Sequence, residues 1–340
     1  MRASSETGPG NRKPLARIKM SSAWALAGPP LSLMSCRSQI GLAMVPLMGV
    51  TLLLAAQQPA ATQDAPFNQE QIRALVQRAI AMQHQSDEAL DLYDRTERIV
   101  DREDKEDKET ISRTVPVGAS DMRIEMNREG QPVPSAEITQ KWREILGVME
   151  SRTHLDDPAV KKEYEKATKR KNYSAKMVDA IRDAFRFHWA GRTVRAGRPV
   201  IELDYEPNPG FKSDLRFSSV YKQIWGKVWV DEASGYVVRL EAELRRDIPI
   251  GGGIIGKVYK GSRVELEQAE PYPGAGVWLP TFSSYDVEGR KFVFPASYHR
   301  KVYANEYRRI GPPAEALPLL RNEHAQQLAP AAISASSGIR

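Results

Sequence analysis

The chain has 340 residues, 49 basic and 43 acidic side chains, a formal charge of +6, one cysteine and 41% apolar residues. That composition excludes global disorder and leaves room for one large domain or two small ones. The charge is unevenly placed: residues 1–56 hold Arg2, Arg12, Lys13, Arg17, Lys19 and Arg37 against Glu6 alone, which leaves +1 for all that follows. A nearly neutral remainder argues against nucleic acid as a partner. Cys36 lies in the same segment, so the remainder has no thiol for a disulfide, a thiolate metal site or a cysteine nucleophile.

Residues 40–56 read IGLAMVPLMGVTLLLAA, an uncharged run preceded by Arg37 and followed by the polar QQPAATQDAP. This is the layout of a secretory signal peptide, with cleavage expected after Ala56 or Ala61. The rival is an uncleaved inner-membrane signal anchor, for which the run is at the short edge and carries Pro46 and Gly49. A buried core helix would show a polar stripe, and none is present. Met34 would start a leader of ordinary size, which makes residues 1–33 an over-called start. The expected location is the periplasm or cell envelope. The expected plan is a leader over 1–56, a linker over 57–67, one domain over 68–310 with a helical insert at about 135–184, and a disordered Ala/Ser-rich tail over 311–340.

After the linker, Asn68 is a predicted N-cap, and Ile72, Leu75, Ile80 and Met82 mark an amphipathic helix ending near Tyr93. TERIVDREDKEDKETISRTVPV over 96–117 predicts two short strands around a charged tip between Asp101 and Glu109. It has no glycine where a calcium loop needs its sharp turn, so the tip is read as a solvated hairpin end. A strand is predicted at 122–126. The turn at Gly130 to Pro132 then leads to Ser135 as the cap of a helix, and helical sequence continues to about Ala184 with a break near 154–158. In it, Lys166, Lys169, Arg170 and Lys171 form a basic cluster flanked by Glu163 and Glu165. The first reading is a solvated helix face and the second is contact with a membrane surface through anionic headgroups.

The period changes at Phe185. Phe185, Phe187 and Trp189 alternate with Arg186 and His188, and Ile201, Leu203 and Tyr205 alternate with Glu202 and Asp204, the two-residue period of half-buried strands. In GYVVRLEAEL, Tyr236, Val238, Leu240, Ala242 and Leu244 share one predicted face. With GKVWV upstream and Gly235 in the loop, this reads as a hairpin. Further strands are predicted at 263–268, 278–287 and 291–308. They follow one another without crossover helices, so the sheet is predicted to be antiparallel.

GGGIIGK, from Gly251 to Lys257, matches G-x-G-x-x-G and nearly a P-loop. Both motifs bind phosphate at the start of a helix, whereas VYKGSRVELEQ follows here and alternates like a strand, so the segment is read as a bend between strands. The five histidines lack metal-ligand spacing, and no G-x-S-x-G elbow is present. No cofactor and no metal is implied. The aromatic residues are the better lead, because a curved sheet under amphipathic helices gathers them around one interior. They either fill a core or line an apolar cavity able to hold an acyl chain. The candidate lining is Phe185, Phe187, Trp189, Leu203, Trp229, Tyr236, Val238, Leu240, Phe292 and Phe294.

KVWVDEASGYVVRLEAEL resembles the strand-turn-strand element of the outer-membrane lipoprotein-sorting carrier (LolA/LolB-like) superfamily. The charged hairpin ERIVDREDKEDKETISRTVPV, the GQPVPSAE helix start, GRPVIEL, PNPGFK, WGKVWVD, GSRVELEQ and VWLP together resemble a group of exported bacterial proteins of that superfamily, across about Tyr93 to Ile310. The resemblance implies an α+β fold: a strongly curved antiparallel sheet, an unclosed half-barrel with helices on its concave face, plus the insert and an N-terminal helix. It further implies a non-enzymatic protein that binds a lipid or lipoprotein acyl chains. The alternatives are an envelope interaction module whose core is self-filled, and a hydrolase.

Overall fold

The computed structural model describes residues 65–103, 106–215 and 218–328. The expected leader lies outside those residues. Among them, no helix is long and apolar enough to cross a membrane. Helix α1 (Gln69–Leu90) starts at the predicted cap. The Asn68 side chain accepts from the backbone N–H of Glu70 and Gln71, and Gln71 returns a bond to the Asn68 N–H, a reciprocal box that satisfies orphan donors. Ile72, Leu75, Val76 and Ala79 form its buried stripe.

Among the described residues, thirteen antiparallel strands follow. They are β1 (Tyr93–Glu103), β2 (Glu106–Pro116), β3 (Asp121–Arg128), β4 (Gln131–Pro132), β5 (Phe185–Arg195), β6 (Arg198–Pro207), β7 (Ile224–Asp231), β8 (Val237–Leu244), β9 (Ile248–Ile250), β10 (Gly256–Val258), β11 (Arg263–Ala269), β12 (Leu279–Lys291) and β13 (Phe294–Arg309). Helices α2 (Ser135–Thr153) and α3 (Pro158–Ala184) separate β4 from β5, and α4 (Pro313–Leu328) follows β13. The strand order is β4-β3-β2-β1-β13-β12-β11-β8-β7-β6-β5, with β10 branching from β12 and β9 from β10. The margins β4 and β5 are not paired, so this α+β sheet does not close into a barrel.

Directly opposite residues of an antiparallel pair share a face, so register carries a face across the whole sheet. On one face, Leu203, Val228, Leu240, Leu266, Ser283, Val302 and Ile99 are successive partners from β6 to β1. Helix α1 packs on this face, where Ile72, Leu75, Val76 and Ala79 join Ile201, Leu203, Val228 and Val230 in one core. On the other face the successive partners are Glu202, Trp229, Arg239, Glu267, Phe282, Tyr303 and Arg98. At the β1–β3 margin that opposite face is covered as well: Val115 and Ile124 carry Trp142, Ile145 and Met149 of α2 with Ala316, Leu317 and Leu320 of α4. Helix α3 links the two regions, from Tyr164 beside Gly118, past the Lys171–Asp91 ion pair at 2.6 Å, to Ala184 at the start of β5.

One expectation is extended and two are corrected. The expected charged hairpin is present with longer strands: Asp101 pairs with Lys108, Arg102 with Asp107 and Glu103 with Glu106, so pairing runs into the segment expected as its tip. Two of these three pairs set opposite charges across from each other, which lets a strongly charged segment remain strand. The tail expected to be disordered from Gly311 instead forms α4 as far as Leu328, because Ala316, Leu317 and Leu320 bury against α2 despite Pro318 inside the helix. In β8 a register shift sets Val237 opposite Val230 and Arg239 opposite Trp229, so Val237 and not Val238 joins the α1 core.

GGGIIGK forms the β9–β10 hairpin, with a tight turn over Gly251–Gly253 and strand after it. No helix follows Lys257, so phosphate-binding geometry is absent there. One glycine elsewhere is sterically required: a Cβ on Gly226 would overlap the Glu241 carbonyl and the Tyr205 ring, whose hydroxyl donates to Glu241 O at 2.8 Å.

Candidate functional site

The α1 face of the sheet divides into three zones. Under α1, over β5–β8, side chains fill the space. Phe185 meets Tyr205 and Tyr221 edge-on at 5.0 and 5.4 Å, and Trp189 stacks on Phe67 at 5.1 Å. Burial raises the hydroxyl pKa values of Tyr205 and Tyr221, which donate to Glu241 O and, at 2.7 Å, to Met177 O.

The second zone is more open. Helix α1 crosses β8, β11 and β12 only at one end, through Gln85 to the Tyr236 hydroxyl (3.3 Å), Gln83 to Gln268 (2.7 Å) and Leu90 against Leu279. Toward the other end, Leu240, Ala242, Val264, Leu266, Tyr285 and Val287 are partly exposed, and among the described residues no helix packs broadly over them. This is an apolar strip on the α1 face. Burial among neighbours pushes the Tyr285 hydroxyl up to about 12.

The third zone is polar, with Arg95 and Glu97 buried at its centre. Glu97 is fully buried and accepts from Arg95 at 2.9 Å and Arg123 at 2.8 Å, while Arg95 also donates to Asp121 at 2.7 Å. Burial opposes the charge on Arg95, and Asp121 and Glu97 overcome it, so the guanidinium stays protonated above its usual range. Arg300 clasps Asp101 through two bonds of 2.6 Å. Three arginines therefore face three carboxylates, and the surface beside the strip is electrically balanced. Such a surface suits an apolar or amphiphilic ligand better than an ion. Among the described residues, no group of three His, Cys, Asp or Glu is placed to hold a metal.

The sequence-predicted lining residues fall into separate places. Phe185, Leu203 and Tyr236 are buried, the first two in the α1 core and Tyr236 stacked on Trp278 at 5.8 Å. Phe187 and Trp189 are partly buried against that core. Leu240 stands on the open strip and Val238 at the register shift beside it. Trp229 is buried on the opposite face, its indole N–H donating to Glu202 at 3.2 Å and its ring under Arg195 and Arg239. Phe292 and Phe294 are 51% and 69% exposed at the β12–β13 turn. In the α3 cluster, Lys171 is paired with Asp91, and Lys166, Lys169 and Arg170 are exposed.

Sequence reasoning missed the Arg95, Glu97, Asp121 and Arg123 network. Its signal was in DRTERIVD, where charged and apolar residues occupy both phases of a strand.

No protein-family model matches the chain, and no curated protein matches it. Among solved structures it is similar to a DUF1329 family protein from Desulfovibrio piger, at 10% identity and a TM-score of 0.26, over 70% of this chain and 92% of that one. It is also similar to an outer membrane lipoprotein-sorting protein domain from Vibrio parahaemolyticus, at 11% identity and a TM-score of 0.29, over 72% of this chain and 99% of that one. A third similar structure is MucB in complex with MucA(peri), at 8% identity and a TM-score of 0.19, over 68% and 98% of the two chains.

Proposed function

We propose that this is an exported, non-enzymatic envelope protein that holds a lipid or an acylated partner along the open strip of the α1 face. The observation that carries the reading is the run of partly exposed apolar side chains from Leu240 and Leu266 to Tyr285 and Val287, beside a charge-balanced wall. Burying a methylene contributes about 0.8 kcal/mol, so ten methylenes laid on the strip supply roughly 8 kcal/mol before ordering costs. The leader and the sequence resemblance to lipoprotein-sorting carriers support the same reading. Export to the periplasm or cell envelope is part of this proposal and rests on the signal-peptide layout of residues 40–56.

The test is native mass spectrometry of protein isolated from the envelope fraction, beside a Leu240→Asp, Leu266→Asp variant. A lipid-sized adduct on the parent that disappears from the variant is the expected result. A bare mass on both favours the second reading, an interaction module, for which the filled core under α1 speaks.

A further inference from the structure

Beyond β1 the sheet carries a lobe with unusual chemistry. β1 pairs with β13 only as far as Arg102 and His299, while β13 begins at Phe294. At about 3.3 Å per residue the β12–β13 hairpin therefore extends roughly 16 Å past that last pair. β9 and β10 join its flank: Gly256 and Val258 pair with Lys291 and Gly289, and the Phe292 N–H donates to Ile255 O at 2.8 Å. Arg290 ties the two turns together, donating to Gly253 O at 2.9 Å and to Phe292 O. A Cβ on Gly256 or Gly289 would run into the facing strand, so the two hairpins lie in close contact.

The end of this lobe is apolar and exposed. Ile254, Ile255, Phe292, Val293 and Phe294 are 78, 50, 51, 80 and 69% exposed. Large apolar side chains gathered at one projecting end mark an interaction site, whereas scattered ones need no explanation. Phe292 also sits at φ 54° in the two-residue turn, a region where glycine or asparagine is at ease and a bulky residue is strained. An exposed aromatic at the strained position of a turn serves neither the turn nor the core.

Behind the apolar end stands a basic collar. Residues 245–260 and 288–295 hold Arg245, Arg246, Lys257, Lys260, Arg290 and Lys291 against Asp247 and Glu288. Lys257 is neutralised by Asp247 at 2.7 Å, and the other five bases outnumber the remaining acid. We propose that this lobe docks on an anionic lipid bilayer, with Ile254, Ile255, Phe292, Val293 and Phe294 entering the interface and the collar meeting the headgroups. An apolar point backed by cationic side chains is the arrangement that gains from both parts of such a surface. A bilayer is the occupant that answers both features at once, the exposed apolar side chains and the excess of basic residues in the same two segments. The proposal stands apart from what the strip holds, although Val287 and Tyr298, Gly289 and Ala296, then Lys291 and Phe294 continue the strip's face to the tip.

The experiment is co-sedimentation of the protein isolated from the envelope fraction with vesicles of phosphatidylcholine alone or with 30% phosphatidylglycerol. Binding is expected to the mixed vesicles and to weaken with salt. Ile254→Asp, Val293→Asp should lower the partition coefficient at least tenfold with an unchanged melting temperature. Phe292→Asn, which relieves the strained turn, should lower it severalfold while raising the melting temperature. Arg246→Glu, Lys260→Glu should abolish the preference for phosphatidylglycerol. Lys166→Glu, Lys169→Glu, Arg170→Glu on α3 should bind as the parent does, and so should Leu240→Asp, Leu266→Asp, which separates this proposal from ligand binding on the strip. Undiminished binding by the Ile254, Val293 variant overturns the proposal, as does loss confined to the α3 variant. A parent that ignores both vesicle types but is converted from dimer to monomer by Ile254→Asp, Val293→Asp also overturns it, assigning the tip to a second copy of the chain.

Discussion

The two margins of this sheet are stabilised in contrasting ways. At the β5–β8 margin, α1 lies on one face and the space beneath it is filled by aliphatic and aromatic side chains. At the β1–β3 margin, α2 and α4 lie on the opposite face, and the α1-face side chains of the same strands are Arg95, Glu97 and Arg123. One continuous sheet is thus covered from opposite sides at its two ends. Its central strands β11 to β13 are the place where neither cover extends broadly, and the open strip and the apolar lobe both include residues of these strands.

The largest test of the contrast is at Arg95. Arg95→Ala leaves Glu97 buried with Arg123 alone and should cost about 4 kcal/mol in a urea melt, because an uncompensated charge remains inside. The double change Arg95→Leu, Glu97→Leu should recover most of that loss. If the double variant is as unstable as the single one, the network shapes this margin in a way that apolar packing does not replace. On the other margin Leu203, fully buried under α1, should lose about 3 kcal/mol on change to Ala through the cavity left behind. The loss there should be insensitive to pH and salt.

A smaller effect separates the margins by pH. Asp231 ends β7 and accepts from Arg198 at 2.6 and 2.9 Å and from both the backbone and hydroxyl of Ser234. Burial acts to raise its pKa, and these bonds overcome it and hold it at about 2 against an ordinary 3.8. A depressed folded pKa means that the stabilisation is complete above pH 4 and is lost as pH falls toward 2. Roughly 2 kcal/mol should disappear over that window and be absent from Asp231→Asn. Thermal melts at pH 5 and pH 2.5 compare the two.

These features differ in how far they could be read from sequence. The Asn68 cap, the Asp231-to-Gly235 turn and the alternation in VVRLEAEL are local, because their partners lie within a few residues. The apolar character of Leu203 and Leu240 was equally plain. What alternation cannot give is the strand that pairs across 200 residues, and β1 on β13 decides which side each later helix covers. Trp229 shows the consequence: its spacing matches a core strand, but register turns it to the face of Glu202 and Arg239. Phe292 and Phe294 look like core residues for the same reason, since composition does not distinguish a strand inside a sheet from one that projects beyond it.

The mildest test concerns α4, the element that composition hid. Glu323 reaches back from α4 to Arg113 on β2 and, at 2.9 Å, to Arg308 on β13, and Arg113 and Arg308 both bind the buried Asp94. Burial alone would raise the Glu323 pKa, but the two arginines bring it below the ordinary value, so the clasp is closed at neutral pH and opens in acid. The arginines keep Asp94 when Glu323 is gone, so Glu323→Gln should cost only about 1 kcal/mol globally. The larger change should be local, with amide exchange over 313–328 accelerating while that of β5–β8 stays as it was. Faster exchange at both margins would mean that α4 supports the whole sheet, and the two margins would then be one cooperative unit.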